Sequence, residues 1–396
     1  MQHATRARRR PSADLSGRDR LPSLTGLRFW AALLVVLYHL SRQIGEIPGI
    51  SQAVWYGRSG VTFFFVLSGF VLAWTYNGTM VPSKVFLWRR FARIWPLMVV
   101  TGALSVGVWL WLGKAVSAKA VIANLLLLHA WIPETVILKG ANPAAWSLSD
   151  EAWFYLIFPL LMLLPMLRSG RGRRWIWALI CASVVAVWLS GSLVSDITTR
   201  VWLLDYLPLT RMLQFVLGVA AGLAVARGWR PPLGLWPAVA LTAAWHLMLI
   251  PWSWYASDAL WYGPLHASQL LSTPVFALLV AAAARADLDV RRTGLGGRWS
   301  VRLGHWSFAW YLIHEIVIRT WLGVYGRPDD LLDTALVWLL VIVVSQVLSA
   351  CAYHWVEHPL ERRLRVAGPQ LPRPQRAAYL DSPRAGHLLP TGTKQE

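Results

Sequence analysis

Charge is scarce in this chain, and acidic charge scarcest: only 14% of the 396 residues are Asp, Glu, Lys or Arg, with 19 acidic side chains against 38 basic ones. A soluble protein of this length needs more polar surface than that, so an ordinary soluble enzyme is excluded. Cysteine is almost missing. Cys181 and Cys351 both fall in apolar stretches, which excludes a disulfide framework and a cysteine-based metal centre. No phosphate-binding Walker loop, dinucleotide glycine pattern, nucleophilic serine elbow or metal-ligand cluster is present, so no metal is expected. The first apolar run lacks a small-residue cleavage site, and more such runs follow it, so it reads as an uncleaved helix. Internal repeats of the inverted-transporter kind are also lacking.

What the chain has in excess is apolar length. Hydrophobic residues make up 56%, there are 26 tryptophans, and the mean hydropathy is +0.46. A helix needs about 17 to 25 mostly apolar residues to cross the hydrocarbon core. Ten windows qualify: 27–42, 60–77, 94–113, 146–167, 175–194, 206–226, 235–251, 268–284, 305–323 and 333–353. The fold class expected is therefore all-α, a polytopic membrane helix bundle of about ten transmembrane helices. The run 120–132, closed by Pro133, is too short to cross and is expected as a re-entrant or interfacial helix on the outer face.

The net charge of +19 suggests nucleic acid until the cations are placed. With the ten spans alternating from an inside N-terminus, the inner segments hold 28 of the 38 Lys plus Arg and the outer loops 6. That is the positive-inside pattern of a plasma-membrane protein, not a nucleic-acid-binding face. Residues 1–22 and 361–396 are polar and aperiodic and are expected as disordered cytoplasmic tails around one membrane domain, 23–360. The outer stretch 252–267 is dense in Trp and Tyr and reads either as interfacial anchoring or as a lid over an acceptor.

Ionisable groups at membrane depth mark substrate paths or reactive sites. Arg28 and His39 stand eleven residues apart in LRFWAALLVVLYHL, which is about three turns plus 20° and roughly 16 Å of rise, so they share a helix face at two depths. Arg28 then lies near the cytoplasmic surface and His39 near the outer end. A histidine there is either a general base or a packed ring bonded to a backbone carbonyl. Arg90 and Arg93, at i and i+3 in FLWRRFARIWP, either serve topology alone or grip phosphate groups as planar forks. In AAWSLSDEAWFYLIFP, Ser147 with Asp150, or Ser149, can cap the helix. Glu151 is expected at the level of His39, where a carboxylate can orient the imidazole. Arg211, Tyr311 and His314 are further polar groups inside spans, as structural hydrogen-bonding glue or as site residues.

In this order the motifs resemble the acyltransferase-3 family of integral membrane O-acyltransferases, which modify sugars and lipids at bacterial surfaces and some antibiotics. The likeness covers about residues 22–360. It rests on LTGLRFWAALLVVLYH, GVTFFFVLSGFVLAW, Arg90-x-x-Arg93 with Ile94 and Pro96, Trp146-Ser147-Leu148-Ser149-x-Glu151 with Phe154 and Tyr155, Arg211 with Phe215 and Gly218, Tyr311-Leu312-Ile313-His314, and Glu357 with Pro359. Thr25 and Gln214 depart from the family's usual Asp and Glu. The resemblance implies acyl-CoA, with acetyl the usual group, as co-substrate and no bound cofactor. It implies His39 as the essential residue, Arg28, Arg90 and Arg93 as donor binders, and a hydroxyl on a glycan, glycolipid or glycosylated natural product as acceptor. His39 would take the acceptor's proton with Glu151 orienting the ring, and Ser147, Ser149, Arg211 or Tyr311 would face the oxyanion. An acyl-enzyme route through His or Ser is equally compatible. The alternative from another class is a transporter or flippase using His39, Glu151 and Arg211 as a relay.

Overall fold

A computed structural model describes residues 21–78, 81–164, 167, 169–255 and 264–370. The described residues contain helices and no strands. The long elements are α1 (Pro22–Gln43), α2 (Gly60–Tyr76), α3 (Ser83–Trp111), the short α4 (Ala118–Leu125), α5 (Trp146–Leu161), α6 (Gly170–Ser190), α7 (Ile197–Asp205), α8 (Pro208–Ala226), α9 (Leu235–Tyr255), α10 (Pro264–Leu270), α11 (Thr273–Leu288), α12 (Arg298–Val324), α13 (Leu331–Ala352) and α14 (His358–Ala367). Among the described residues seven candidate spans are long and apolar enough to cross a membrane, and the chain is a multi-pass membrane protein.

All ten expected spans meet helix, with informative differences. The window 268–284 is split at Leu271–Ser272 into α10 and α11. α5 and the apolar part of α6 are short, and α12 carries His305, His314, Glu315 and Arg319 among its apolar residues. The run 120–132 is two turns of helix, α4, and a 3-10 turn at His129–Trp131, too short to cross. Residues 361–367, expected as part of a disordered C-terminal tail, are instead the end of helix α14, which runs to Ala367. Residues 1–20 and 371–396, and most of the aromatic stretch 252–267, lie outside the described residues.

Burial sorts the helices. α2 is buried around nearly its whole circumference, as expected of an apolar helix at the centre of a bundle. Against it lies α8. Cβ atoms added at Gly69 and Gly218 would come within 2.1 Å of the Phe215 carbonyl oxygen and 2.0 Å of the Val66 carbonyl oxygen. Small residues let the two backbones touch, the usual basis of helix association in lipid. α13, by contrast, exposes Leu336, Leu339, Leu340, Val343 and Val347, an apolar face that fits lipid tails. α1 and α12 run side by side in the same direction: Phe29 stacks on Trp310 with centroids 5.6 Å apart, and ten residues further on His39 lies 5.2 Å from His314. A π-helical turn, Tyr353–Glu357, joins α13 to α14 and leaves Glu357 only 2% exposed. Such turns recur where a side chain must be re-aimed.

Candidate active site

A cavity of about 800 Å³ opens between α1, α2, α3, α5, α12 and α14. Its charged end is walled by Arg28 from α1, Arg90 and Arg93 from α3, Arg298 from the first turn of α12, and Arg362 and Arg365 from α14. Only two carboxylates, Glu151 and Glu361, share that wall. Thirteen residues beyond Arg298, about 20 Å along the helix, Tyr311 lines the deep end with Ser147, Val61 and Phe65.

The arginines are not equivalent. Arg93 is held by Glu357 and by Glu361, the latter at 3.2 Å, and its guanidinium lies 5.2 Å from the Phe308 ring. Arg90 is 9% exposed, and its Nε and Nη2 have no protein partner. A guanidinium so placed at a cavity wall is a donor fork awaiting an anion. At the deep end the Ser147 hydroxyl donates to the Tyr311 oxygen at 2.9 Å. With its oxygen already accepting, Tyr311 keeps its own O–H to donate to whatever enters.

His39 lies just beyond. Its Nδ1 is 2.8 Å from Glu315 Oε1, and the same carboxylate accepts from Gln43 Nε2 at 2.8 Å and Arg319 Nε at 3.0 Å. An ionised carboxylate only accepts, so the proton of the neutral ring sits on Nδ1 and the lone pair on Nε2. The His314 ring bridges the two regions, 6.0 Å from the Tyr311 ring and 5.2 Å from His39. His314 Nδ1 is paired with the Trp310 carbonyl at 3.2 Å, and Nε2 is buried without a partner. The ligand-capable atoms of His39, His314 and Glu315 all lie within 4.8 Å of one another. Three donors already fill the Glu315 oxygens, so the geometry is that of a hydrogen-bonded base rather than a preformed metal cage.

Six residues singled out from sequence, Arg28, Arg90, Arg93, Ser147, Glu151 and Tyr311, therefore line one cavity, and His39 and His314 form a second cluster against it. The expected roles of Glu151 and Ser149 and the expected helix capping need correcting. Glu151 does not orient His39: it accepts from Tyr155 at 2.7 Å and lies among the arginines, while Glu315 takes the role. Ser149 turns away from the cavity to the Leu127 carbonyl at 2.6 Å. Arg211 takes the structural one of its two expected roles: it is wholly buried beside the cavity, bonded to Thr62 and Gln269 at 3.3 and 3.1 Å, with its guanidinium over the rings of Phe65 and Trp146. Helix capping by Ser147, Ser149 or Asp150 is not seen either, because the N-cap is Ala145 with no side-chain bond. The residues missed were Glu315, Gln43 and Glu361. Glu315 carried a signal, a carboxylate in mid-span next to His314.

A model of the acyltransferase domain, type 3, matches residues 21–354. The acyltransferase MdmB of Streptomyces mycarofaciens is 34% identical over 375 residues, covering 87% of this chain and 92% of the relative. The exopolysaccharide production protein ExoZ of Rhizobium meliloti (strain 1021) is 26% identical, over 83% of this chain and 96% of its own length. A putative peptidoglycan O-acetyltransferase, YrhL of Bacillus subtilis (strain 168), is 26% identical over 86% of this chain and 55% of its own. No solved structure matches. A match to the family model over nearly the entire helix bundle makes this chain a member of the acyltransferase-3 family and an acyl-transferring enzyme.

Proposed function

We propose that this protein is a plasma-membrane O-acyltransferase that takes an acyl group, acetyl in the usual case, from acyl-CoA and transfers it to a hydroxyl of a sugar-bearing acceptor. Relatives named for exopolysaccharide production and peptidoglycan O-acetylation support the acceptor class, which extends to glycolipids and sugars on macrolide-type products. The observation that carries the donor is the cavity, rich in guanidinium groups at the end holding the chain's N-terminal helix start and uncharged at its deep end. CoA is a polyanion on a long flexible arm. Its phosphates rest on Arg28, Arg90 and Arg93 at the cytoplasmic end, and the arm carries the thioester inward past Phe64 and Phe65 toward Tyr311.

Just beyond the deep end His39 Nε2 takes the proton of the acceptor hydroxyl as its oxygen attacks the thioester carbonyl carbon. Glu315 holds Nδ1–H and stabilises the imidazolium that forms. The tetrahedral oxyanion accepts from Tyr311, kept in place by Ser147. Collapse breaks the C–S bond, and the imidazolium returns its proton to the departing thiolate. The products are the ester and CoA thiol, and the base is restored. Direct transfer needs only the one base, so it is preferred here to an acyl-enzyme. The acceptor meets His39 from the outer face, where the ring is 28% exposed.

The test uses purified protein in nanodiscs with acetyl-CoA and a soluble glycoside. CoA thiol release that depends on the glycoside and vanishes in His39→Ala is the expected result. Acceptor movement across the bilayer without thiol release would instead point to a transporter.

A further inference from the structure

α14 turns one face to the cavity. His358, Glu361, Arg362 and Arg365, spaced i, i+3, i+4 and i+7, all line it, the repeat that places side chains on a single helix stripe. The helix is fastened there, since the Trp88 indole of α3 donates to the Leu364 carbonyl at 2.7 Å. On that stripe Glu361 bridges two guanidinium groups, Arg93 on α3 and Arg365 on its own helix. Arg298, at the start of α12, lines the same cavity.

A carboxylate gripped between two arginines in the wall of a cavity that holds six arginines has the geometry and charge of a bound phosphate. Glu357, by contrast, is 2% exposed beneath the wall and neutralises Arg93 from behind. Arg93 thus keeps one structural counter-ion when Glu361 is displaced. On this stripe Arg362 is exposed, whereas Arg90 is only 9% exposed, so the stripe reaches solvent where Arg90 does not. A donor that enters acyl end first leaves its nucleotide at that stripe.

Resting on the acyl-CoA donor proposed above, we infer that Arg365 and Arg362 of α14 form a second phosphate subsite, which takes the phosphate on the donor's ribose and is occupied by Glu361 until the donor displaces it. The deeper arginines hold the pyrophosphate. The second subsite reads the nucleotide end and gives the enzyme its preference for CoA over carriers that lack that phosphate. Glu361 acts as a competing anion and sets how tightly the donor is held, whereas Arg365 and Arg362 bind it.

The experiment measures KM and kcat with acetyl-CoA and with 3′-dephospho-acetyl-CoA in nanodiscs, for wild type and the variants Arg365→Gln, Arg362→Gln and Glu361→Gln, with acceptor saturating. Wild type is expected to show about a tenfold higher KM for the dephospho donor, the scale of one charge-assisted contact. Arg365→Gln raises the acetyl-CoA KM toward the dephospho value and leaves the latter within about twofold, so the preference collapses while kcat stays. Glu361→Gln lowers the acetyl-CoA KM severalfold. If Arg365→Gln alone misfolds because Glu361 is stranded, the double variant Glu361→Gln/Arg365→Gln removes the pair together and must lose the preference too. Equal KM increases for both donors, or a Glu361→Gln variant that binds acetyl-CoA less tightly, would overturn the subsite and leave the donor assignment standing. A wild-type protein that turns over neither donor would instead remove the donor assignment itself.

Discussion

Replacing Glu315 with Gln should separate the base from the donor site. Glu315 is 3% exposed and receives three donors, His39 Nδ1 at 2.8 Å, Gln43 Nε2 at 2.8 Å and Arg319 Nε at 3.0 Å. An amide of the same shape offers one accepting oxygen and one donating NH2. If the NH2 faces the ring, the imidazole must present its Nδ1 lone pair, which moves the proton onto Nε2, the atom that has to be basic. If the oxygen faces the ring, the NH2 meets another donor, at roughly 1–3 kcal/mol for the unsatisfied contact. In either pose the imidazolium loses an ionic partner, about 1.5–3 kcal/mol, and at about 1.4 kcal/mol per decade that is roughly a 10- to 150-fold loss in rate. With the tautomer error added, kcat should fall by about two to three orders of magnitude. The acetyl-CoA KM should stay within about threefold, because the arginine-lined cavity is untouched. Thiol release with nanodisc-embedded protein gives both constants, and a thermal melt in detergent confirms folding. Glu151→Gln is the paired control and should keep kcat within about threefold, since its bond is to Tyr155 and any effect belongs in KM. A folded Glu315→Gln protein that keeps a third or more of wild-type kcat would refute the base assignment.

Arg90→Gln should raise the acetyl-CoA KM by about tenfold, one charge-assisted phosphate contact, with little loss of fold because its Nε and Nη2 have no protein partner to strand. Steady-state kinetics and a melt check both halves. Gly218→Ala forces a methyl to 2.0 Å from the Val66 carbonyl oxygen and should cost about 1–3 kcal/mol or more through backbone displacement, read as a lowered midpoint in a detergent melt. Asp205→Asn unpairs a wholly buried carboxylate from Arg58 at 3.0 Å and His266 at 2.9 Å. It should destabilise by roughly 3–5 kcal/mol, seen as poor recovery of monodisperse protein, because the uncompensated Arg58 charge stays buried.

The helices were legible because lipid imposes a length and a hydropathy that no tertiary contact can disguise. Every expected span is helical for that reason, and even the division of 268–284 falls at a serine, Ser272, followed by Pro274 after one residue. The arginines were legible for the same reason: Arg28 falls at the start of the first span and Arg90 and Arg93 at the start of the third, and alternation of the chain through the bilayer puts those two ends on one side. Distances along a single helix also carried over. The eleven-residue step from Arg28 to His39 leads from the cavity wall to the cluster beyond its deep end.

What sequence could not give was the depth at which a helix begins. α5 was expected to enter from the outer surface, which puts Glu151, one turn past Ser147, level with His39. Residues 141–150 are all buried, however, and Asn142 donates to the Leu312 carbonyl at 2.9 Å in the middle of α12. The helix starts inside the protein. Ser147 is then already at Tyr311, and the turn that follows carries Glu151 on toward the arginines. A re-entrant chain of this kind is tolerated only where protein, not lipid, satisfies its backbone. The same displacement explains Glu315. Its partner His39 was matched with the nearest carboxylate by assumed depth, whereas pairing across α1 and α12 is fixed by their parallel course, which brings residue 315 of one helix beside residue 39 of the other.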